Sequence, residues 1–357
     1  MNGGSDTPPL GPTSRLVGLG LAGFSAVAAL LHPLVPWPEE RAMRAKYEEF
    51  AAHKDEIDAV YIGSSRVLRG IDPAVVDAEL EARGRPFRSF NFGLAGMMAL
   101  EADFVLSELL ALAPARLHFV VFEANTWYAG FDDPWADPHS QRNVYWHTLP
   151  QTLKALETLW LSDKPAWERL RLAGTHVETM AWKMVNYGQG ARIVAHMRGT
   201  DADELGDEIP VAEIAKGRGY QPLEVLTDQY HVRDRAEFVG APDKYKQLIA
   251  QIPAANAKPT TLATYNFRAL REQYDLVEAH GAELIYVVMP SMRGTPDPEA
   301  LRAAGHVPVL IHLNQPEKYP ELFELNRFQD AWHPSRLGTE EISRLIATSL
   351  FTELGQE

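Results

Sequence analysis

The sequence predicts a three-layer α/β domain: a central parallel sheet of about five strands between two layers of helices, interrupted by a mainly helical insertion. Three observations predict it. Short apolar runs recur along the chain and end in small or polar residues, as buried parallel strands do. Segments with apolar residues at helical spacing stand between those runs. One long stretch with little strand character separates the third run from the fourth.

The first predicted strand is Ala59 to Gly63, and it runs straight into Ser64 and Ser65. Asp72 and Pro73 then open a helix, as N-cap and first-turn residue, and Gly84 closes it. The second strand is Phe87 to Phe92, followed by Gly93 and Gly96. Val105, Leu109 and Leu112 mark the apolar face of the next helix. Leu117 to Phe122 is the third strand. A helix from about Thr261 to His280 leads into the fourth, Leu284 to Met289, and Val307 to Leu313 is the fifth. A last helix starts at Thr339 and carries Ile342, Leu345, Ile346 and Leu350 on one face. Right-handed crossovers make this a doubly wound sheet, whose chemistry belongs at the carboxyl ends of the strands.

The chain divides accordingly. Residues 1–13, rich in Gly, Pro, Ser and Thr, read as a disordered tail. Residues 14–37 hold an apolar run, Leu16 to Leu31, behind Arg15. This segment is expected to form one helix over about residues 15–36, projecting from the domain, with Trp37 at a membrane interface. It reads as a membrane anchor or a signal segment, with a buried helix of a cytosolic protein as the rival. Arg15 favours an inside N-terminus and a domain outside the cytoplasm, periplasmic or extracellular. Residues 45–125 and 259–357 form the α/β domain. Residues 126–258 form the insertion, expected to cap the strand ends; six of the eight tryptophans fall between Trp127 and Trp182.

Composition narrows the function. The formal net charge is -14 and no basic run occurs, which argues against binding nucleic acid. The absence of cysteine excludes disulfides, thiolate catalysis and Cys-ligated metals. His139 and His147 lack metal-ligand spacing to an acidic partner, so neither a metal nor any other cofactor is predicted.

Four short blocks carry the chemistry: Gly63-Ser64-Ser65, Asn91 to Gly96, Glu123 to Thr126, and Asp330 to Ser335. A serine on the turn after the first strand presents its hydroxyl above the sheet. His333 can serve as its base if a carboxylate orients the ring, and Asp330 stands three residues before it. Ser65, Asp330 and His333 are therefore the candidate catalytic residues, with Ser64 as the less favoured nucleophile. The backbone N–H groups of Ser65 and Gly96 and the side-chain amide of Asn125 are the candidate oxyanion donors. Arg66 is a candidate for an anionic substrate group, with a salt bridge as the alternative. Trp127, with Tyr128, Trp135, Tyr145 and Trp146, is a candidate sugar platform, with packing of the insertion as the alternative.

In this order, on these strand ends, the blocks resemble the SGNH (GDSL-like) hydrolase superfamily. The family's Gly-Asp-Ser stands here as Gly63-Ser64-Ser65, and its second-block glycine matches Gly96. Of its Gly-x-Asn-Asp only Asn125 is kept, while Asp-x-x-His-Pro is intact from Asp330 to Pro334. The resemblance covers roughly residues 57–125 and 283–350. It implies a flavodoxin-like sheet of strand order 2-1-3-4-5 and a Ser-His-Asp site.

The Gly-Ser-Ser-Arg turn, followed by Gly70-Ile71-Asp72-Pro73 behind an N-terminal apolar segment, is similar to membrane-anchored SGNH-like proteins that work with membrane-bound O-acyltransferases. That resemblance implies a serine esterase or O-acyltransferase acting on acyl esters of cell-surface polysaccharide. The alternative is an inactive accessory protein that binds glycan or partners the acyltransferase.

Overall fold

The computed structural model describes residues 12–31, 34–38, 40–124, 137–186, 189–198, 211–260, 262 and 265–355. Asn125 and Trp127 lie outside these, as do residues 1–11 of the expected tail.

The sheet is five-stranded and parallel throughout, in the order β2-β1-β3-β4-β5. Its strands are β1 (Ala59–Gly63), β2 (Ser89–Gly93), β3 (Phe119–Glu123), β4 (Glu283–Val288) and β5 (Leu310–His312). The register brings their carboxyl ends into line: Gly63 pairs with Gly93, Glu123 with Val287 and Val288 with His312. This is the doubly wound sheet and strand order that the sequence predicts.

Alternate strand residues feed two apolar cores. Ile62, Phe92 and Phe122 face one side, where α5 (Ala99–Ala111) packs. Tyr61, Val121 and Val287 face the other, against α4 (Pro73–Ala82) and α15 (Arg336–Leu354). Asp72 caps α4 as expected, accepting the Ala74 N–H at 2.9 Å. Between them, α3 (Ser65–Gly70) is the short helix that leaves β1.

Two segments near the N-terminus depart from expectation. Helix α1 runs over Pro12–Leu31 rather than to residue 36. Its Leu16, Leu19, Leu21, Phe24, Val27 and Leu30 are each more than half exposed. It also touches the insertion: Ala28 is buried, and its carbonyl accepts from Asn186 Nδ2 at 2.7 Å. Among the described residues, no helix is long and apolar enough to cross a membrane. Trp37 is a core residue, not an interface residue. It is 7% exposed and stacks on Tyr47 of α2 (Met43–His53), with ring centroids 4.2 Å apart. An indole that finds aromatic partners in the domain has no reason to stay at an interface.

The insertion is helical: α6 (Gln141–Trp146), α7 (Leu149–Leu161), α8 (Ala166–Met184), α9 (Gly190–Arg198), α10 (Val211–Lys216), α11 (Gln229–Gly240) and α12 (Pro242–Asn256). Helix α13 (Phe267–Ala279) then leads into β4, and α14 (Asp297–Ala303) precedes β5. The described parts flank the sheet: Ala155 and Leu172 join one core, Phe238 and Ile252 the other.

The turn after α10 also closes the sheet's free edge at β2. The Asn91 N–H donates to the Arg218 carbonyl at 2.9 Å. Lys46, fully buried, donates from Nζ to the carbonyls of Asn91 at 3.1 Å and Gly93 at 2.7 Å. Burial first, then the charge of Arg69, holds the Lys46 ammonium well below its ordinary pKa. An edge covered in this way offers no template to another chain.

Gly219, at φ +87°, makes that cover possible, because a Cβ there would stand 2.0 Å from the Asn91 carbonyl oxygen. Gly219→Ala is expected to cost about 1–3 kcal/mol through overpacking and backbone strain. A urea unfolding midpoint equal to that of the wild type would refute this.

Candidate active site

The site is built on the ends of β1, β2 and β3. Ser64 caps α3, its Oγ accepting the Arg66 N–H at 3.3 Å, and Ser65 is the first helical residue. That cap fixes Ser64 in a local role and leaves the next hydroxyl facing the strand ends.

The tight turn depends on Gly63. A Cβ there would lie 2.6 Å from the Glu123 Cβ and 2.7 Å from its Oε2. The Glu123 side chain crosses this space. Its Oε2 accepts the Ser64 N–H at 2.6 Å and its Oε1 pairs with Arg66 Nε at 2.8 Å. Arg66 is thus in the ion pair that was the alternative to substrate binding, and Glu123 is a site residue that the sequence analysis did not single out. Its signal was visible: a carboxylate closing an otherwise apolar buried strand, two residues before Asn125. Removing it takes away the acceptor of the Ser64 N–H. Glu123→Ala is expected to cost about 1–3 kcal/mol of stability, measured by urea unfolding.

The base arrives on the loop before α15. Asp330 Oδ1 accepts the backbone N–H groups of Trp332 at 2.7 Å and His333 at 2.9 Å, which folds the Asp-x-x-His segment into a tight local turn. Gln329 N–H to His333 carbonyl, at 2.9 Å, closes it. The insertion braces the outside: Arg235 of α11 donates from Nη1 to the carbonyls of Phe328 at 2.8 Å and Gln329 at 2.9 Å. Ser335 caps α15 with its Oγ, which fixes where the loop ends.

The result is a continuous chain of contacts. Ser65 Oγ lies 2.8 Å from His333 Nε2, and His333 Nδ1 lies 2.9 Å from Asp330 Oδ2. A carboxylate only accepts, so Nδ1 carries the proton and Nε2 is left to accept from the serine hydroxyl. Burial pushes the Asp330 carboxyl up. The His333 hydrogen bond and charge, with the two backbone N–H groups, outweigh it and hold the group below its ordinary value. The geometry suits proton transfer from serine to imidazole.

The candidate oxyanion donors divide. Ser65 N–H, in the first turn of α3, has no helical acceptor. Gly96 sits at φ +70° on the exposed turn after β2, a conformation that glycine adopts without strain. Asn125, two residues past Glu123, lies outside the described residues, as do Trp127, Tyr128 and Trp135. Tyr145 packs its ring against Trp37 and Phe104, and Trp146 is buried against His147 with ring centroids 3.7 Å apart, so both serve packing.

Asn91 supports the whole end of the sheet. Its Nδ2 donates to the carbonyls of Val67 and Ile71, and its Oδ1 accepts the Gly93 N–H. The second block therefore holds α3 as well as its own turn.

His147 is buried against His176, Nε2 to Nδ1 at 2.9 Å, and burial above all drives its pKa down to about 3. Among the described residues, no group of His, Asp or Glu is arranged to hold a metal ion. A cavity of about 480 Å³ lined by Trp37, Tyr47, Phe104, Tyr145 and Lys183 shares no residue with the triad. Compared with known proteins, the chain matches no family model, no curated protein and no solved structure.

Proposed function

We propose that this protein is an SGNH-like serine ester hydrolase or O-acyltransferase that works through an acyl-serine intermediate on acyl esters of cell-surface polysaccharide. The observation that carries the reading is the Ser65–His333–Asp330 chain at the carboxyl edge of the sheet. Ser65 Oγ attacks the acyl carbonyl and its proton passes to His333 Nε2. The ester C–O bond breaks, and the leaving alcohol takes that proton. Water or a sugar hydroxyl then attacks the acyl-serine, again giving its proton to His333, and Ser65 recovers it as the acyl group departs. The residues require no cofactor for this. The substrate class and the possible partner, a membrane-bound O-acyltransferase, rest on the resemblance of the Gly-Ser-Ser-Arg turn. The exposed leucines of α1 support a membrane association through residues 14–37, and Arg15 ahead of the apolar run favours a domain outside the cytoplasm.

The test is labelling with a fluorophosphonate and mapping of the modified residue. Ser65 is expected to carry the label. No label on any serine, with an unmodified Ser65 peptide after exposure to an acyl donor, would favour the inactive accessory protein instead.

A further inference from the structure

Helix α6 of the insertion sends Arg142 under the Gly96 turn. The side chain is 7% exposed and grips Glu101 of α5 with two donors, Nε to Oε1 and Nη2 to Oε2, the second at 2.7 Å. Its remaining arm, Nη1, donates to the Ala95 carbonyl at 2.7 Å. The Arg142 N–H is itself held by Glu40 Oε2 at 3.3 Å. A guanidinium can bind a carboxylate bidentately and still aim a further N–H at a fixed place.

That place matters because a peptide unit is planar and trans. Fixing the Ala95 carbonyl toward Arg142 turns the Gly96 N–H of the same unit to the opposite side. A peptide preceding a glycine flips at little steric cost, and flipping would present a carbonyl where a donor is needed. The turn is tied elsewhere at Leu94, whose N–H donates to the Gly63 carbonyl at 2.9 Å, and Met97 N–H closes it on the Leu94 carbonyl at 3.1 Å. Neither bond fixes the Ala95–Gly96 plane. Among the described residues the Gly96 N–H has no hydrogen-bond partner of its own.

We infer that Arg142 is a positioning residue: through the Ala95 carbonyl it holds the Gly96 N–H as an oxyanion donor for chemistry at Ser65. The inference rests on the reading of Ser65 as nucleophile. It gives the insertion a role in the reaction, since the residue that sets this donor comes from outside the α/β domain.

Two probes test it, p-nitrophenyl acetate as substrate and an alkyl trifluoromethyl ketone, which forms a tetrahedral adduct with an active serine. In Arg142→Met, kcat is expected to fall on the order of 10²-fold with KM unchanged, and Ki for the ketone to rise by a similar factor, as for loss of an oxyanion donor. The double variant Glu101→Gln/Arg142→Met leaves no lone buried carboxylate, so it keeps the test open if the single variant unfolds. It is expected to show the same split. A folded variant with wild-type kcat and wild-type Ki would overturn the inference while leaving the nucleophile in place. A rise in KM equal to the fall in kcat, with Ki unchanged, would also overturn it. Wild-type protein that forms no adduct at Ser65 by 19F NMR would instead remove the nucleophile, and the inference with it.

Discussion

Ser65→Ala is expected to abolish turnover of p-nitrophenyl acetate and to remove fluorophosphonate labelling completely. The expected loss is on the order of 10⁶-fold in kcat, the scale on which a hydroxyl nucleophile acts together with its base. Only Ser65 Oγ lies within hydrogen-bond reach of His333 Nε2 among the hydroxyls of the turn, because Ser64 spends its own as the cap of α3. Ser64→Ala should therefore cost about 1 kcal/mol of stability through the lost cap and still label at Ser65. Equal turnover by wild type and Ser65→Ala would refute the nucleophile assignment. If the wild type hydrolyses no short ester, either the acyl group is guarded from water or no acyl-serine forms. The mass of the Ser65-containing peptide after exposure to an acyl donor then decides: a gain of one acyl group is expected, and its absence with no fluorophosphonate label refutes the enzyme.

The chain made this much legible because the blocks sit at strand ends, and strand ends are what apolar runs reveal best. β1 is observed at the residues the pattern picks out, Ala59–Gly63. β5 is shorter than Val307 to Leu313, since Pro308 has no N–H to give a ladder and pairing begins only at Leu310, opposite Tyr286. Helices α13 and α15 begin where polar caps put them. Asn266 Oδ1 accepts the Ala269 N–H at 3.0 Å, and Ser335 caps the turn that starts at Arg336. Apolar spacing alone placed the starts of these helices near Thr261 and Thr339.

The contacts among Ser65, His333 and Asp330 were legible because Asp330 and His333 belong to one turn and Ser65 stands two residues past a strand end. Glu123 showed only as a carboxylate closing an apolar run and Arg142 not at all, because their meaning lies in partners far along the chain. The Glu123 carboxylate answers the N–H of Ser64, and Arg142 answers a carboxylate on α5 and a carbonyl on the β2 turn.

Asp330→Asn is the sharper test of mechanism, because it keeps the shape of the site and changes only its protons. The asparagine oxygen can still accept from the Trp332 and His333 backbone N–H groups, so the loop should hold. Its amide nitrogen, facing His333 Nδ1, is a donor. The imidazole must then place its own proton on Nε2, where it points at Ser65 Oγ and cannot receive the hydroxyl proton. A fall in kcat of about 10⁴-fold is expected, with the circular dichroism spectrum and KM little changed.

Stability should respond to pH in a related way. The Asp330 carboxyl is held below its ordinary value in the folded protein, so the folded state releases this proton more readily than the unfolded chain does. Its contribution to stability is present above the unfolded carboxylate value of about 3.9 and is lost as pH falls through the lower, folded one. Asp330→Asn removes that dependence. The wild type should therefore be the more stable protein near neutral pH, and the difference in urea midpoint should shrink toward strong acid. A difference that grows on acidification, or an asparagine variant retaining a tenth or more of wild-type kcat, would show that Asp330 does not orient His333 as a carboxylate.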